Sequence, residues 1–236
     1  MRAEKQRIKD NFMWYAPKEY WGDDIDVRYF LVSQLKRIKN KHILEIGCGS
    51  GIILSELDSN NKIFGIDRDL KALNVAKRLN PDSYFIRGDI DTLPFNKESF
   101  DIVILAAVIE YSCNKEELIK QISIVLKRGG TLFITTNNRQ YSYYINQAVL
   151  LSHSQLINLL RPYFFFQIKG YNPIPPILFF LPGVLKERMN RRYQLMVPSC
   201  WLSRLPFIDN VLMRLMRVSW LTRISKGFYI EAGKKE

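Results

Sequence analysis

A chain of 236 residues with 47% hydrophobic side chains suits one α/β domain with an elaboration, large enough to bury a true core. The formal net charge of +12 is uneven: residues 1–140 hold 22 basic and 19 acidic side chains and residues 141–236 hold 13 and 4, so attraction to an anionic partner belongs mainly to the C-terminal part. Three scattered cysteines (Cys48, Cys113, Cys200), no apolar run long enough to span a bilayer, and charges and aromatics where a signal peptide would be apolar argue against a disulfide scaffold, a cysteine metal cluster and a spanning helix; reduced thiols in a cytoplasmic protein are the expectation.

The apolar run Ile43–Ile46 reads as a buried parallel strand that breaks into Gly47, Gly49 and Gly51, followed by a helix-type pattern at Ile52, Ile53, Leu54 and Leu57. Glycine is needed where backbone turns tightly against a ligand, and a loop between strand and helix holds part of a nucleotide-like cofactor. The spacing is not the dinucleotide fingerprint, whose third glycine would fall at Ile52, and the phosphate loop ending Gly-Lys-Ser/Thr is absent. Lys62–Ile66 is a second strand ending at Asp67, twenty residues past Gly47, where a carboxylate can accept hydrogen bonds from both ribose hydroxyls. Ser83–Arg87 is a third strand, closed by Gly88, Asp89 and Ile90. Ser99–Leu105 is a fourth, and Val125–Ile134 carries a Gly129-Gly130 turn into a fifth.

The ordered set Glu45-x-Gly47-x-Gly49-x-Gly51, Asp67, Asp89-Ile90, Asp91-x-Leu93-Pro94-Phe95, Phe100-Asp101-x-Val103 and Leu126-Lys127-Arg128-Gly129-Gly130 resembles the class I S-adenosylmethionine (SAM)-dependent methyltransferases, closest to the type 11 branch. The likeness covers residues 41–137. It implies a Rossmann-like seven-stranded α/β sheet, six strands parallel and the last antiparallel, flanked by helices. It also implies SAM as cofactor, S-adenosylhomocysteine as product, and no metal. Implied cofactor-binding positions are Glu45, Gly47, Cys48, Gly49, Ser50, Gly51, Asp67, Arg68, Asp89, Ile90, Ala106 and Tyr111, with the Asp89 carboxylate on the adenine amine and Ile90 against the ring. Trp14, Tyr15, Tyr20 and Trp21 fit a cover over the cofactor, or equally a hydrophobic anchor for the first helix. A usual Glu-His after strand four is here Glu110-Tyr111, which removes one base. Glu110, Tyr111 and His153 are the catalytic candidates; structural use of Glu110 and helix capping or plain exposure of His153 stand beside that role. His42, before strand one, is structural.

Beyond Asn138 the resemblance fades. Ser152 and its neighbours suit the N-terminus of a helix through Leu160, Phe164–Ile168 reads as strand six, and Gly227–Ala232 as the final strand. An α-helical insertion between strands six and seven would leave and re-enter at the carboxyl edge, where ligands bind in open α/β sheets. The expected division is 1–40 as a helical cover, 41–170 as the SAM-binding core, 171–225 as a hydrophobic, basic lid or substrate platform, and 226–236 as the last strand. The insertion holds a proline-broken apolar run from Pro173 to Pro182 and the cluster Arg188, Arg191 and Arg192. Its 207–218 stretch is expected to form a helix with Ile208, Val211, Leu212, Leu215 and Val218 on one side and Asn210, Arg214 and Arg217 on the other, suited to an anionic membrane surface, a lipid-linked acceptor, or simple packing with arginines in solvent. The sequence therefore predicts methyl transfer to an oxygen or carbon of a small apolar or lipid-linked acceptor by a cytoplasmic protein that can sit peripherally on a membrane. Two alternatives stand: a methyltransferase of nucleic acid or protein, and a non-catalytic SAM-fold binding subunit. Nucleic acid ranks low because the basic residues lie in aliphatic sequence.

Overall fold

The computed structural model describes residues 25–139, 149–173 and 225–235. In chain order these form α1 (Ile25–Leu35), β1 (His42–Ile46), β2 (Lys62–Asp67), α2 (Leu70–Leu79), β3 (Tyr84–Arg87), β4 (Phe100–Ala106), α3 (Lys115–Val125), β5 (Leu126–Asn137), α4 (His153–Leu160), β6 (Phe164–Pro173) and β7 (Ser225–Lys234), with short 3-10 turns at Leu54–Glu56 and Ile109–Tyr111. One sheet runs in the order β3-β2-β1-β4-β5-β7-β6. Strands β1 to β5 pair in parallel, whereas β7 lies antiparallel between β5 and β6. This is the doubly wound sheet expected from the sequence, reversed last strand included.

Each face buries its own cluster. Leu44, Ile46, Val103, Leu105, Leu132 and Ile134 meet Leu118, Ile119 and Ile122 of α3 and Leu156 and Leu160 of α4. On the other face Ile43, Ile104, Phe133 and Tyr229 meet Leu31 and Leu35 of α1 and Leu73 of α2. Both faces being covered explains why the strands read as nearly continuous apolar runs; each fully buried Leu or Ile contributes about 1.5–3 kcal/mol. The helices start where side chains satisfy the first orphan N–H groups. Asp69 accepts from Lys71 N at 2.8 Å and Asn114 from Glu117 N at 3.1 Å. Ser152 and Gln155 close a reciprocal capping box on α4, the start read from the serines.

The segment after the glycines differs from expectation. Instead of a helix on Ile52, Ile53, Leu54 and Leu57, only the Leu54–Glu56 turn forms. The chain must return at once to Lys62, which pairs with His42, and Asp58 and Asn61 impose the turn. Asp58 Oδ1 accepts from Asn60 N at 2.9 Å, and Asn61 binds Lys41 N and the Ile38 carbonyl at 3.0 and 2.7 Å. Local Asx bonding outcompetes helix propagation here.

Strand six is longer than its apolar run suggests. It continues past Lys169 and Gly170 to Pro173, which pairs with Ser225. Because β6 runs parallel to β5, the chain departs at Pro173 and returns at Ser225 on the carboxyl edge, as the topology required. The apolar run beyond Pro173, the arginine cluster, the 207–218 helix and the aromatic cover at Trp14–Trp21 lie outside the described residues. Among the described residues, no helix is long and apolar enough to cross a membrane.

The amino edge is held by Asp101, which accepts from His42 N at 2.8 Å and pairs with Lys127 Nζ at 2.9 Å. Partial burial raises its proton affinity, but these donors win and hold the carboxyl below the usual range. Asp91 is depressed in the same way, by the Ser112 hydroxyl and the Cys113 and Asn114 amides against its own desolvation. A depressed folded-state value means stability is fully present above the unfolded carboxyl value of about 3.9. It is lost as pH falls through that value toward the folded ones. The urea midpoint will therefore hold from pH 7 to about 5 and fall below about pH 4; Asp101→Asn and Asp91→Asn will each flatten that acid decline in urea titrations at stepped pH.

Candidate active site

The carboxyl ends of β1 to β5 bring Gly47, Asp67, Gly88, Ala106 and Asn137 to one edge. The glycine loop leaves β1 with Gly47, Gly49 and Gly51 all at positive φ (68, 50 and 68°). Gly47 has no alternative: a Cβ there would lie 2.5 Å from Val108 Cγ2, on the segment after β4. At Gly49 a Cβ would meet no atom of the described residues within 4 Å. Among the described residues the middle of the loop is therefore uncovered, and its backbone can approach a ligand.

The loop is tied down from behind. Gly47 N and Cys48 N donate to the Ile66 carbonyl at 2.8 and 3.1 Å, and Gly51 N to the Cys48 carbonyl at 2.8 Å. Asn80, at the end of α2, donates through Nδ2 to the Gly51 carbonyl at 3.0 Å. Asp67 completes the tether: Oδ2 accepts from Gly49 N at 2.8 Å and Oδ1 from Asp69 N at 2.9 Å. Each carboxylate oxygen has a second acceptor site, so this carboxylate can hold the loop and still receive two hydroxyls.

The other expected cofactor residues share the rim. Glu45 and Ser50 are buried, at 3% and 4% exposure, and Ala106 closes β4. Ala107 follows at φ 54°, and its N–H donates to the Thr135 carbonyl at 2.9 Å. A non-glycine residue in that region is backbone strain of the kind that collects at ligand sites. Arg68 is exposed beside Asp67, with its carbonyl accepting from Arg87 Nε at 3.2 Å. Asp89 is exposed and shapes its loop by accepting from Asp91 N at 2.9 Å, while Ile90 packs against the core. Cys48 is buried, and burial, reinforced by Glu45 and Asp67, pushes its thiol far up. It stays protonated and inert, and its sulfur fills the space left by Gly65, where a Cβ would lie 2.7 Å away.

The catalytic candidates separate. Glu110 is 2% exposed, and its Oε1 accepts from Thr136 Oγ1 at 2.8 Å and Asn137 N at 3.0 Å, binding the segment after β4 to the end of β5. Tyr111, 37% exposed, follows on the same turn at the rim. His153 opens α4 with its ring 5.8 Å from that of Phe228, which pairs with Thr136. Glu110 and His153 therefore flank the end of β5, on the sheet face that carries α3 and α4. His42 sits at the opposite edge, its N–H on Asp101.

Sequence reasoning missed Asp91, Ser112, Thr136, Asn137 and Asn80 as parts of this edge. Asp91 Oδ1 accepts from Ser112 Oγ at 2.5 Å and Oδ2 from Cys113 N at 2.8 Å, clasping the loop after β3 to the segment after β4. Asn80-Pro81 is a readable helix stop; its partner Gly51 is not. Among the described residues, no group of three or more His, Cys, Asp or Glu could hold a metal ion.

A mainly parallel sheet with a glycine loop after β1 and a carboxylate at the end of β2 is the arrangement that holds a nucleoside-type cofactor at the switch point of open α/β folds. Residues 44–134 match the family model described as a methyltransferase domain. Over these residues the chain is similar to the class I SAM-dependent methyltransferases, type 11 branch. The chain is 30% identical over 130 residues, 52% of its length, to the ubiquinone biosynthesis O-methyltransferase of Coxiella burnetii, and spans 55% of that relative. Its fold matches an S-adenosylmethionine-dependent methyltransferase from Mesorhizobium loti with a TM-score of 0.57 and 16% identity, over 85% of this chain and 94% of that one. Phosphoethanolamine N-methyltransferase 2 of Haemonchus contortus, solved in complex with S-adenosyl-L-methionine, matches with a TM-score of 0.58 and 17% identity, over 89% of this chain and 52% of that one.

Proposed function

We propose that this protein transfers a methyl group from SAM to an oxygen or carbon of a small, apolar or lipid-linked acceptor. The observation that carries the cofactor half is the open loop at Gly49, whose N–H is tethered 2.8 Å from Asp67 Oδ2. Backbone can approach the methionine end there, while Asp67 receives the ribose hydroxyls and Asp89 and Ile90 the adenine. Glu45 is buried near the end of β1, two residues before Gly47. When bound, SAM supplies a methyl group made electrophilic by its sulfonium. The chain's part is alignment and exclusion of water, and such positioning is worth roughly 7–11 kcal/mol. Tyr111 lies at the methionine end, where a ring face suits a nearby cation. In this reading His153, at the start of α4, takes a proton from an acceptor hydroxyl, and Glu110 holds the end of β5 through Thr136 and Asn137.

The acceptor half is supported by the name of the Coxiella relative and by the basic, aliphatic stretch 171–225, whose ends meet on the site's edge. In this division residues 1–40 cover the cofactor, 41–170 bind it, 171–225 present the acceptor at a membrane surface, and 226–236 complete the sheet. The test is transfer of labelled methyl from SAM to a short-chain polyprenyl catechol, with and without anionic vesicles. The expected result is label in the organic extract, increased by vesicles. Label only in added RNA or protein, with salt-sensitive binding, would replace this acceptor; SAM binding with no transfer to any of these would favour the binding subunit.

A further inference from the structure

Along the carboxyl edge, buried and half-buried polar groups are joined by a series of hydrogen bonds and short backbone links, of which the proposed chemistry uses only Glu110. It begins beside the adenine loop, where the Asp91 carboxylate takes Ser112 Oγ and Cys113 N, and the Asp91 carbonyl takes Gln121 Nε2 at 2.8 Å. Lys115 Nζ then donates to the Ser112 carbonyl at 2.8 Å and the Glu110 carbonyl at 3.5 Å. Burial lowers the Lys115 value, while Glu110 and Asp91 hold its charge in place. The Glu110 carboxylate takes Thr136 Oγ1 and Asn137 N, and its carbonyl takes Val149 N at 2.9 Å. Next, Asn138 bridges to Leu151, whose carbonyl accepts from Arg139 N at 3.2 Å, and Ser152 caps α4. Ser112, Glu110, Thr136 and Asn138 are at most 4% exposed, so water cannot substitute for a lost partner.

We propose that Asp91 and Glu110 are positioning residues that couple occupation of the cofactor loops to the placement of residues 137–139 and 149–156, the acceptor side of the site. The inference rests on the cofactor reading above. The series joins the end of β3, which pairs with β2 alone, to the paired ends of β4 and β5 and on to the start of α4. A ligand that fixes Asp89-Ile90 fixes Asp91, and through Ser112 and Glu110 it fixes the backbone beside His153. The acceptor surface is then assembled only when the cofactor is in place.

The test is amide hydrogen exchange of the full chain, with and without saturating S-adenosylhomocysteine, in the parent protein and in Ser112→Ala, Glu110→Ala and Glu110→Gln. In the parent, ligand should slow exchange at least tenfold at 47–51 and also at 137–139 and 149–156. Ser112→Ala and Glu110→Ala should keep the first effect and lose the second. Glu110→Gln should retain both, because its amide oxygen accepts from the same hydroxyl and amide. A merely structural role would speed exchange with and without ligand and leave the ligand-induced difference intact. Protection confined to 47–51 in the parent, or distant protection surviving in Ser112→Ala, would overturn the coupling and leave the cofactor reading standing. If Glu110→Ala does not fold, Ser112→Ala decides the outcome. No ligand effect anywhere in the parent would overturn both.

Discussion

A Gly47→Ala variant is expected to lose S-adenosylhomocysteine binding by at least about a hundredfold, ~2.7 kcal/mol, and to unfold at clearly lower denaturant. The cause is steric and conformational together. At φ 68° an L-residue costs roughly 1–2 kcal/mol. The added methyl would also sit 2.5 Å from Val108 Cγ2, and such overpacking costs roughly 1–3 kcal/mol more. Relief requires moving Val108, the residue before the Ile109–Tyr111 turn, so loop and rim are displaced together. Gly49→Ala is the contrasting variant. Its φ is 50° and no described residue crowds it, so stability should fall by only about 1 kcal/mol, while the methyl projects where the cofactor must lie. Titration and urea unfolding of both variants check this. Equal stability losses, or unimpaired binding in Gly49→Ala, would show that the loop does not face a ligand.

Asp67→Ala should weaken SAM and S-adenosylhomocysteine at least tenfold, about 1.4 kcal/mol. Two effects converge on this carboxylate. It would receive the ribose hydroxyls, and it already fixes Gly49 N and Asp69 N at 2.8 and 2.9 Å. Asp67→Asn keeps one acceptor oxygen and should fall between the two. Calorimetry at one salt concentration resolves the series. Wild-type affinity in Asp67→Ala would separate Asp67 from the cofactor and leave it only a tether of the loop.

The centre of the sheet was legible because β1 and β4 are almost wholly buried and carry mostly Ile, Leu, Val and Phe, and because glycines at positive φ mark the loop in the sequence itself. The start of α4 was legible for the same local reason: Ser152 and Gln155 lie three apart and cap each other. What failed depends on distant partners. Ile52 to Leu57 carries helical periodicity, but Asn61 is held by Lys41 N and the Ile38 carbonyl, and that anchor ends the turn early. The extension of β6 through Lys169 and Gly170 comes from β7, more than fifty residues downstream. Glu110 stands where the family carries Glu-His and so reads as either a catalytic or a structural residue; the distant partners that a structural role uses, Thr136 and Asn137, carry no signal in the sequence. Asp91 and Ser112 carry no signal for each other across twenty-one positions.

The most direct measurement is a calorimetric titration of S-adenosylhomocysteine into the purified wild-type chain. The account predicts one site of micromolar affinity, corresponding to about −8 kcal/mol, shared competitively with SAM. No heat at millimolar ligand, from a protein that unfolds cooperatively and is therefore folded, would contradict it; the glycine loop and Asp67 would then be a scaffold without its cofactor.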